Sequence, residues 1–498
     1  MKYIILFFTL SLILASKLQA NNVSVSNFIL RDQNKIEDCT FIQLDLCWDN
    51  SWRDEINWDA VWLFVKYCET DSNWRHATLN ADSTTHLLPE GFVCSVGTTP
   101  VSGLESGKGV FIYRKANGSG TSKLSNIKLR WEYGIDQINE DARLTIKVFA
   151  IEMVYIPEGA FVFCDYGMES ASRDQATRNP DISPTGNFRI LNSEWRTGQD
   201  EGGYFIDSPA DIPNGAQNGW PNGFLSFYLM KYEISQQQYC DFLNCLSREE
   251  QNKCVSSIVL QKYALTASSI VKNRNSIRVS TVVSDASIEF GCDFNNNNVL
   301  NEKGDGQTIA CNWTCWNDFK SFASWCGLRP MTEMEYEKAC RGPENPGSIA
   351  DYAWGTDAPL ALTPEIENDG CSDAKAISIE ANCNYGNNLT GPVRCGLFAE
   401  NGTTRLQAGA GYYGNMELSG NCCEHLLNCA FSKVPSVGDG NASYDEENWP
   451  DCLSGKGVRG LGWRFSNIKV SYRGNIAWDG CYRTQNLTIR LARTAPGK

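Results

Sequence analysis

GLRPMTEMEYEKACRG (Gly327–Gly342) reads as a helix with both ends marked. Thr332 is the N-cap and Glu335 stands three residues on, so each side chain can satisfy the other residue's backbone N–H. Met331 and Tyr336 flank the cap as a hydrophobic staple. The helix is expected to run through Ala339 and stop near Gly342. The same device occurs upstream, where Ser235 and Gln238 cap the stretch SQQQYCDFLN (Ser235–Asn244), with Ile234 and Tyr239 as the staple. Between these two, Asn317–Cys326 places Phe319, Phe322 and Cys326 on one helical face, and Gly327 follows. Long Gly- and Asn-rich connections separate these short helices. Residues 151–495 are therefore expected to form an irregular α+β domain, with 167–222 and 246–310 as loops.

Residues 21–150 follow a different period. Ile42, Leu44 and Leu46 alternate, as do Ile127, Leu129, Trp131 and Tyr133, and again Leu144, Ile146, Val148 and Ala150. VWLFVKY (Val61–Tyr67) is nearly continuous in apolar residues. Period-two strands broken by Gly, Asn and Asp turns predict an N-terminal β-sandwich. Trp48, Trp52, Trp58 and Trp62 are expected either in its core or as a platform for a sugar or peptide.

Forty-four basic residues against 58 acidic ones leave a net charge of −14. An acidic chain lacks the basic face that non-specific nucleic-acid binding needs, so no nucleic-acid partner is expected. Lys2, the apolar run Tyr3–Ala15 and the ending Leu18-Gln19-Ala20 read as a secretory signal over residues 1–20. That run is too short for a bilayer span, and no later stretch approaches 18 apolar residues, so no transmembrane segment is expected. The protein is expected to be secreted, in a periplasmic or extracellular compartment. There its 21 cysteines are expected to pair as disulfides, with the odd number leaving one over. Only three histidines, His76, His86 and His425, are available for metal sites or triads.

Several stretches occur together in an order that points to a family: MVYIPEGAFVF (Met153–Phe163), KYEISQQQYCDFLN (Lys231–Asn244), the Gly327–Gly342 helix, Tyr352-Ala353-Trp354-Gly355, MELSGNCCEH (Met416–His425), VRGLGW (Val458–Trp463) and IRLAR (Ile489–Arg493). In this the chain resembles the sulfatase-modifying factor family, which includes the formylglycine-generating enzyme. The resemblance covers roughly residues 151–495 and implies a C-type-lectin-like fold there.

The resemblance also sets a chemical test. The family's oxidase holds copper on two thiolates, two and seven residues beyond the Trp of its R-G-G-S-W motif. Soft thiolates suit Cu(I). Here that Trp is Trp463, and the matching positions are Phe465 and Val470; Gly462 replaces the serine. A copper cofactor is therefore not expected, and no catalytic residue is assigned. The family's iron branch needs an H-x-x-x-H-x-E helix, which this sequence lacks. Calcium is the cofactor the resemblance still implies, held by the side chains of Glu417 and Glu424 and the carbonyls of Gly420 and Cys422. A second calcium candidate, from spacing alone, is Asp293, Asn295 and Asn297, although Asn298 and Gly304 depart from an EF-hand loop.

Two functions from different classes follow. The first is a non-catalytic, pseudoenzyme-like recognition or bacterial-envelope module. It would bind a glycan, protein or cell-envelope ligand through Arg464–Gln485, with Tyr472, Arg473, Asn475, Trp478, Asp479 and Tyr482 as contact residues. The second is a formylglycine-generating oxidase that converts a protein cysteine.

Overall fold

The computed structural model describes residues 23–69, 73–101, 104–164, 187–190, 193, 221–283, 288–343, 352–378, 380–400, 402–427, 438–444, 449–450, 456–472, 475 and 480–497. The fold is α+β and rich in strands. Its main sheet runs in the order Ser24–Asn34, Cys39–Arg53, Trp58–Cys68, Thr145–Ile156, Phe227–Met230, Leu491–Thr494, Arg329–Pro330. Gly118–Trp131 pairs with Cys39–Arg53, and the hairpin Phe92–Val101/Leu104–Arg114 joins through Trp58–Cys68. The expected boundary at 150/151 falls inside strand Thr145–Ile156. That strand pairs with Trp58–Cys68 on one side and with Phe227–Met230 on the other.

Period two explains how one sheet serves two cores. In Trp58–Cys68, Val61, Leu63, Val65 and Tyr67 face the sandwich core with Ile42, Leu44, Ile127 and Leu129. Ala60, Trp62 and Phe64 face the other way, into a core built with Tyr239, Phe242, Phe319 and Phe322 of the C-terminal helices. Every residue of the strand is therefore buried, which accounts for its unbroken apolar run. Trp48 and Trp62 are fully buried and Trp58 nearly so, on these two faces; only Trp52 is half-buried. The tryptophans pack rather than form a platform. Between the two cores lies a buried ion group, in which Lys231 Nζ reaches Asp59 and Glu152, each at 3.2 Å.

The three expected helices form as Gln236–Leu243, Trp316–Trp325 and Glu333–Arg341. Both expected capping boxes are made. Glu335 does two jobs: it caps Thr332 N and holds the Arg329 guanidinium in a fork at 2.6 and 2.8 Å. Gly342 ends the helix at φ 82°, and a Cβ there would meet the Tyr412 ring at 2.4 Å.

Two expectations need correction. Residues 246–310 are not simply loop. Ser247 and Glu250 form a further capping box that starts helix Arg248–Cys254, and Ile277–Val283 pairs with Ile288–Cys292. The signal was present in S-x-x-E, but the helix is short and polar enough to have no apolar period. The 167–222 stretch lies mostly outside the described residues. The second correction concerns the cysteines: among the described residues, 18 cysteines are free thiols with no disulfide between any two of them. Most are buried and act as small apolar core residues. Burial pushes the thiols of Cys326, Cys340 and Cys423 up to about 12.

Candidate functional site

The Met416–His425 loop is tied to the sheet through a buried arginine. Arg490, just before strand Leu491–Thr494, donates from Nε to Glu424 Oε1 at 2.7 Å. Its other nitrogens reach Met230 O at 2.9 Å and Met416 O at 2.6 Å. Glu233 accepts from Cys422 N at 2.8 Å and from the Asn421 amide. Glu417 Oε1 accepts from Gly396 N at 2.5 Å. Glu417, Gly420 and Asn421 all take left-handed backbone, at φ 56°, 94° and 56°. That turns the loop tightly enough to bring carboxylates seven residues apart to one arginine. Glycines accommodate the crossing chain: a Cβ on Gly462 would stand 2.9 Å from Asn421 O.

Three carboxylates, Glu233, Glu417 and Glu424, are thus buried around Arg490, with Arg394 acting at longer range on Glu417. One second oxygen on each of Glu417 and Glu424 is buried without a hydrogen-bond partner. Burial is the main cause that raises both carboxyls to about 7, with Arg490 opposing. Burial and the two neighbouring carboxylates lift Glu233 well above its ordinary range. Such a group must hold protons or a cation. The unpartnered oxygens of Glu417 and Glu424 are hard donors of the kind calcium takes; the carbonyls of Gly420 and Cys422 complete the ligand set that the resemblance implies. No cluster of three or more His, Cys, Asp or Glu with metal-holding geometry occurs among the described residues. A cation here would depend on those carbonyls.

The Asp293 loop differs. Asp293 is held by Arg278 at 2.5 Å and accepts from Asn297 N and Asn298 N at 3.0 and 3.1 Å. Asn295 Oδ1 also accepts from Asn297 N, and Asn297 Nδ2 donates to Glu302 at 2.5 Å. The three side chains spend their oxygens and amides closing the loop around an arginine, a partner no sequence spacing disclosed.

The positions matching the copper cysteines lie in separate apolar clusters. Phe465 is half-buried against a cluster containing Tyr352, Trp354 and Cys423. Val470 is fully buried with Met331, Tyr336 and Ala339, and its carbonyl accepts from Arg459. Nearby, Cys423 Sγ accepts from Gly462 N at 3.2 Å and Asn486 Nδ2 at 3.1 Å. Of the expected contact residues, Tyr482 is 66% exposed, Tyr472 is half-buried, and Asn475 O accepts from Val458 N. Arg473, Trp478 and Asp479 lie outside the described residues. The site residues that sequence reasoning missed are Glu233 and Arg490. Both sit inside quoted motifs, but neither had a visible partner until the sheet formed.

The family model for the sulfatase-modifying factor enzyme 1-like domain matches residues 201–494. No curated protein matches the chain. Among solved structures, Treponema denticola variable protein 1 aligns at 13% identity over 54% of this chain and 85% of that one, with a TM-score of 0.23. No helix among the described residues is long and apolar enough to cross a membrane.

Proposed function

Because the chain belongs to the sulfatase-modifying factor enzyme 1-like domain family, we propose that it uses the family scaffold for recognition rather than oxidation. It is a secreted module, periplasmic or extracellular, that binds a glycan, protein or cell-envelope ligand through the Arg464–Gln485 surface. The observation that carries this reading is the replacement of both copper-ligand positions by Phe465 and Val470, each packed with apolar neighbours. Neither side chain has an atom that binds Cu(I). Purified protein incubated with Cu(I) is expected to retain none after dialysis and to consume no oxygen with a cysteine-containing peptide. Stoichiometric copper with oxygen uptake would make it an oxidase instead. The exposed Tyr482 supports a contact role for its surface. Tyr482→Ala is expected to weaken capture of envelope glycan at least tenfold while leaving the melting temperature unchanged.

Calcium belongs to the same reading as a structural ion. Glu417, Glu424 and the carbonyls of Gly420 and Cys422 hold it, and it neutralises the buried carboxylates. A carboxyl raised on folding from its ordinary value stabilises the fold below that value. It loses that contribution as pH climbs through the folded value, here about 7 for both Glu417 and Glu424. Calcium replaces the protons, so it should raise the melting temperature at pH 8 by on the order of 5 °C and much less at pH 5. The comparison of chelated with calcium-loaded protein separates these carboxyls from Lys66, His76 and His425, which burial shifts downward. Equal melting at pH 8 with and without calcium would remove the ion from this loop.

A further inference from the structure

A second site lies where the sandwich meets the C-terminal helices, separate from the Arg464–Gln485 surface. A cavity of about 590 Å³ opens there, within the range of small-ligand sites. Exposed Arg75 and Glu105 among its lining show that it reaches the surface. Its depth is basic. Lys66 is 2% exposed, and among the described residues its one hydrogen bond is to Ala442 O at 2.6 Å. Lys108 is 6% exposed and has no hydrogen-bond acceptor among the described residues. Trp325 also lines the cavity, and its buried indole N–H has no acceptor.

The acids of the lining answer these donors only in part: Asp136 attracts Lys108 without a hydrogen bond to it, and Glu105 is exposed to solvent. Asp136 is taken by Thr78 N at 2.9 Å, Thr78 Oγ1 at 2.6 Å and Trp131 Nε1 at 2.6 Å. Glu250 is taken by its own helix cap at Ser247. The result is a pocket whose buried donors, Lys66 and Trp325, have no carboxylate partner among the described residues, walled by the rings of Trp74, Trp325 and Tyr444. A buried ammonium such as that of Lys66, with no carboxylate hydrogen-bonded to it among the described residues, is costly unless an anion completes it. The aromatic walls add a flat apolar surface for a ring.

We propose that this cavity binds the carboxylate of a small, ring-bodied organic acid, with Lys66 and Lys108 as its counter-ions and Trp325 as an added donor. Burial already pulls Lys66 down to about 7, a shift that a bound carboxylate opposes. The ring body rests against Trp74 and Tyr444.

Calorimetry and tryptophan fluorescence on the full chain test this with two acids and their neutral counterparts: glucuronate against glucose, and indole-3-acetate against indole. At least one acid is expected to bind one to one and at least tenfold tighter than its neutral counterpart. The acid that binds tells whether the ring is a sugar or an aromatic. Lys66→Met and, nearer the opening, Lys108→Gln are each expected to weaken that acid tenfold or more. Lys108→Gln guards against the case in which the deeper change disturbs folding. Failure of both acids to bind would overturn the proposal. So would equal binding of the neutral compounds, or affinity unchanged in folded Lys108→Gln.

Discussion

Arg490→Met is expected to destabilise the protein by about 3–5 kcal/mol, the range seen when one member of a buried ion group is removed. The cost has a specific source. Arg490 is the close counter-charge of Glu424 and also satisfies Met230 O and Met416 O. Without it, Glu233, Glu417 and Glu424 remain buried with only Arg394, acting at longer range on Glu417, among the described cations, and two carbonyls lose their donors. The double change Glu424→Leu with Arg490→Met should recover part of the loss, because a charge with no partner is worse than an apolar pair. Urea unfolding of the two variants and the parent checks this. A loss below 1 kcal/mol for Arg490→Met would mean that solvent reaches the group.

Trp62→Ala is expected to cost a further kind of stability, about 3–5 kcal/mol from transfer and cavity together. Its indole is fully buried and donates to Cys326 O at 2.9 Å. Phe111 tilts against it at 4.6 Å and the Arg493 guanidinium sits 5.0 Å above it. Gly97 and Gly109 leave the room it fills: a Cβ on either would stand 2.6 Å from the ring. Removing the indole therefore opens a space bounded by backbone that cannot collapse easily. The unfolding transition should move without splitting, because the residue joins strands of the sandwich to a helix of the C-terminal part. Two separate transitions in the variant would show that the two cores fold independently.

Local grammar was the legible part. The boxes at Ser235/Gln238 and Thr332/Glu335 are interactions between near neighbours, so four residues of sequence contain them whole. The alternation of Ile42, Leu44 and Leu46 likewise needed only its own strand. Partnership across the chain was not legible. Arg490 meets Glu424 across 66 residues, and Trp62 meets Cys326 across 264. The Asp293 loop reads as a cation site only while Arg278 is out of view. The cysteines mislead for a related reason: compartment argues for cross-links, yet the thiols are placed by packing. The cavity beside Lys66 left no motif at all, since its walls come from seven separate stretches.

The strand Trp58–Cys68 has a consequence for how such a chain can change. Its alternate letters belong to different texts. Substitutions at 61, 63, 65 and 67 are judged by the sandwich; those at 60, 62 and 64 are judged by helices that begin about 170 residues later. An exchange of the N-terminal part for another sheet could therefore be accepted only if the newcomer spelled both at once.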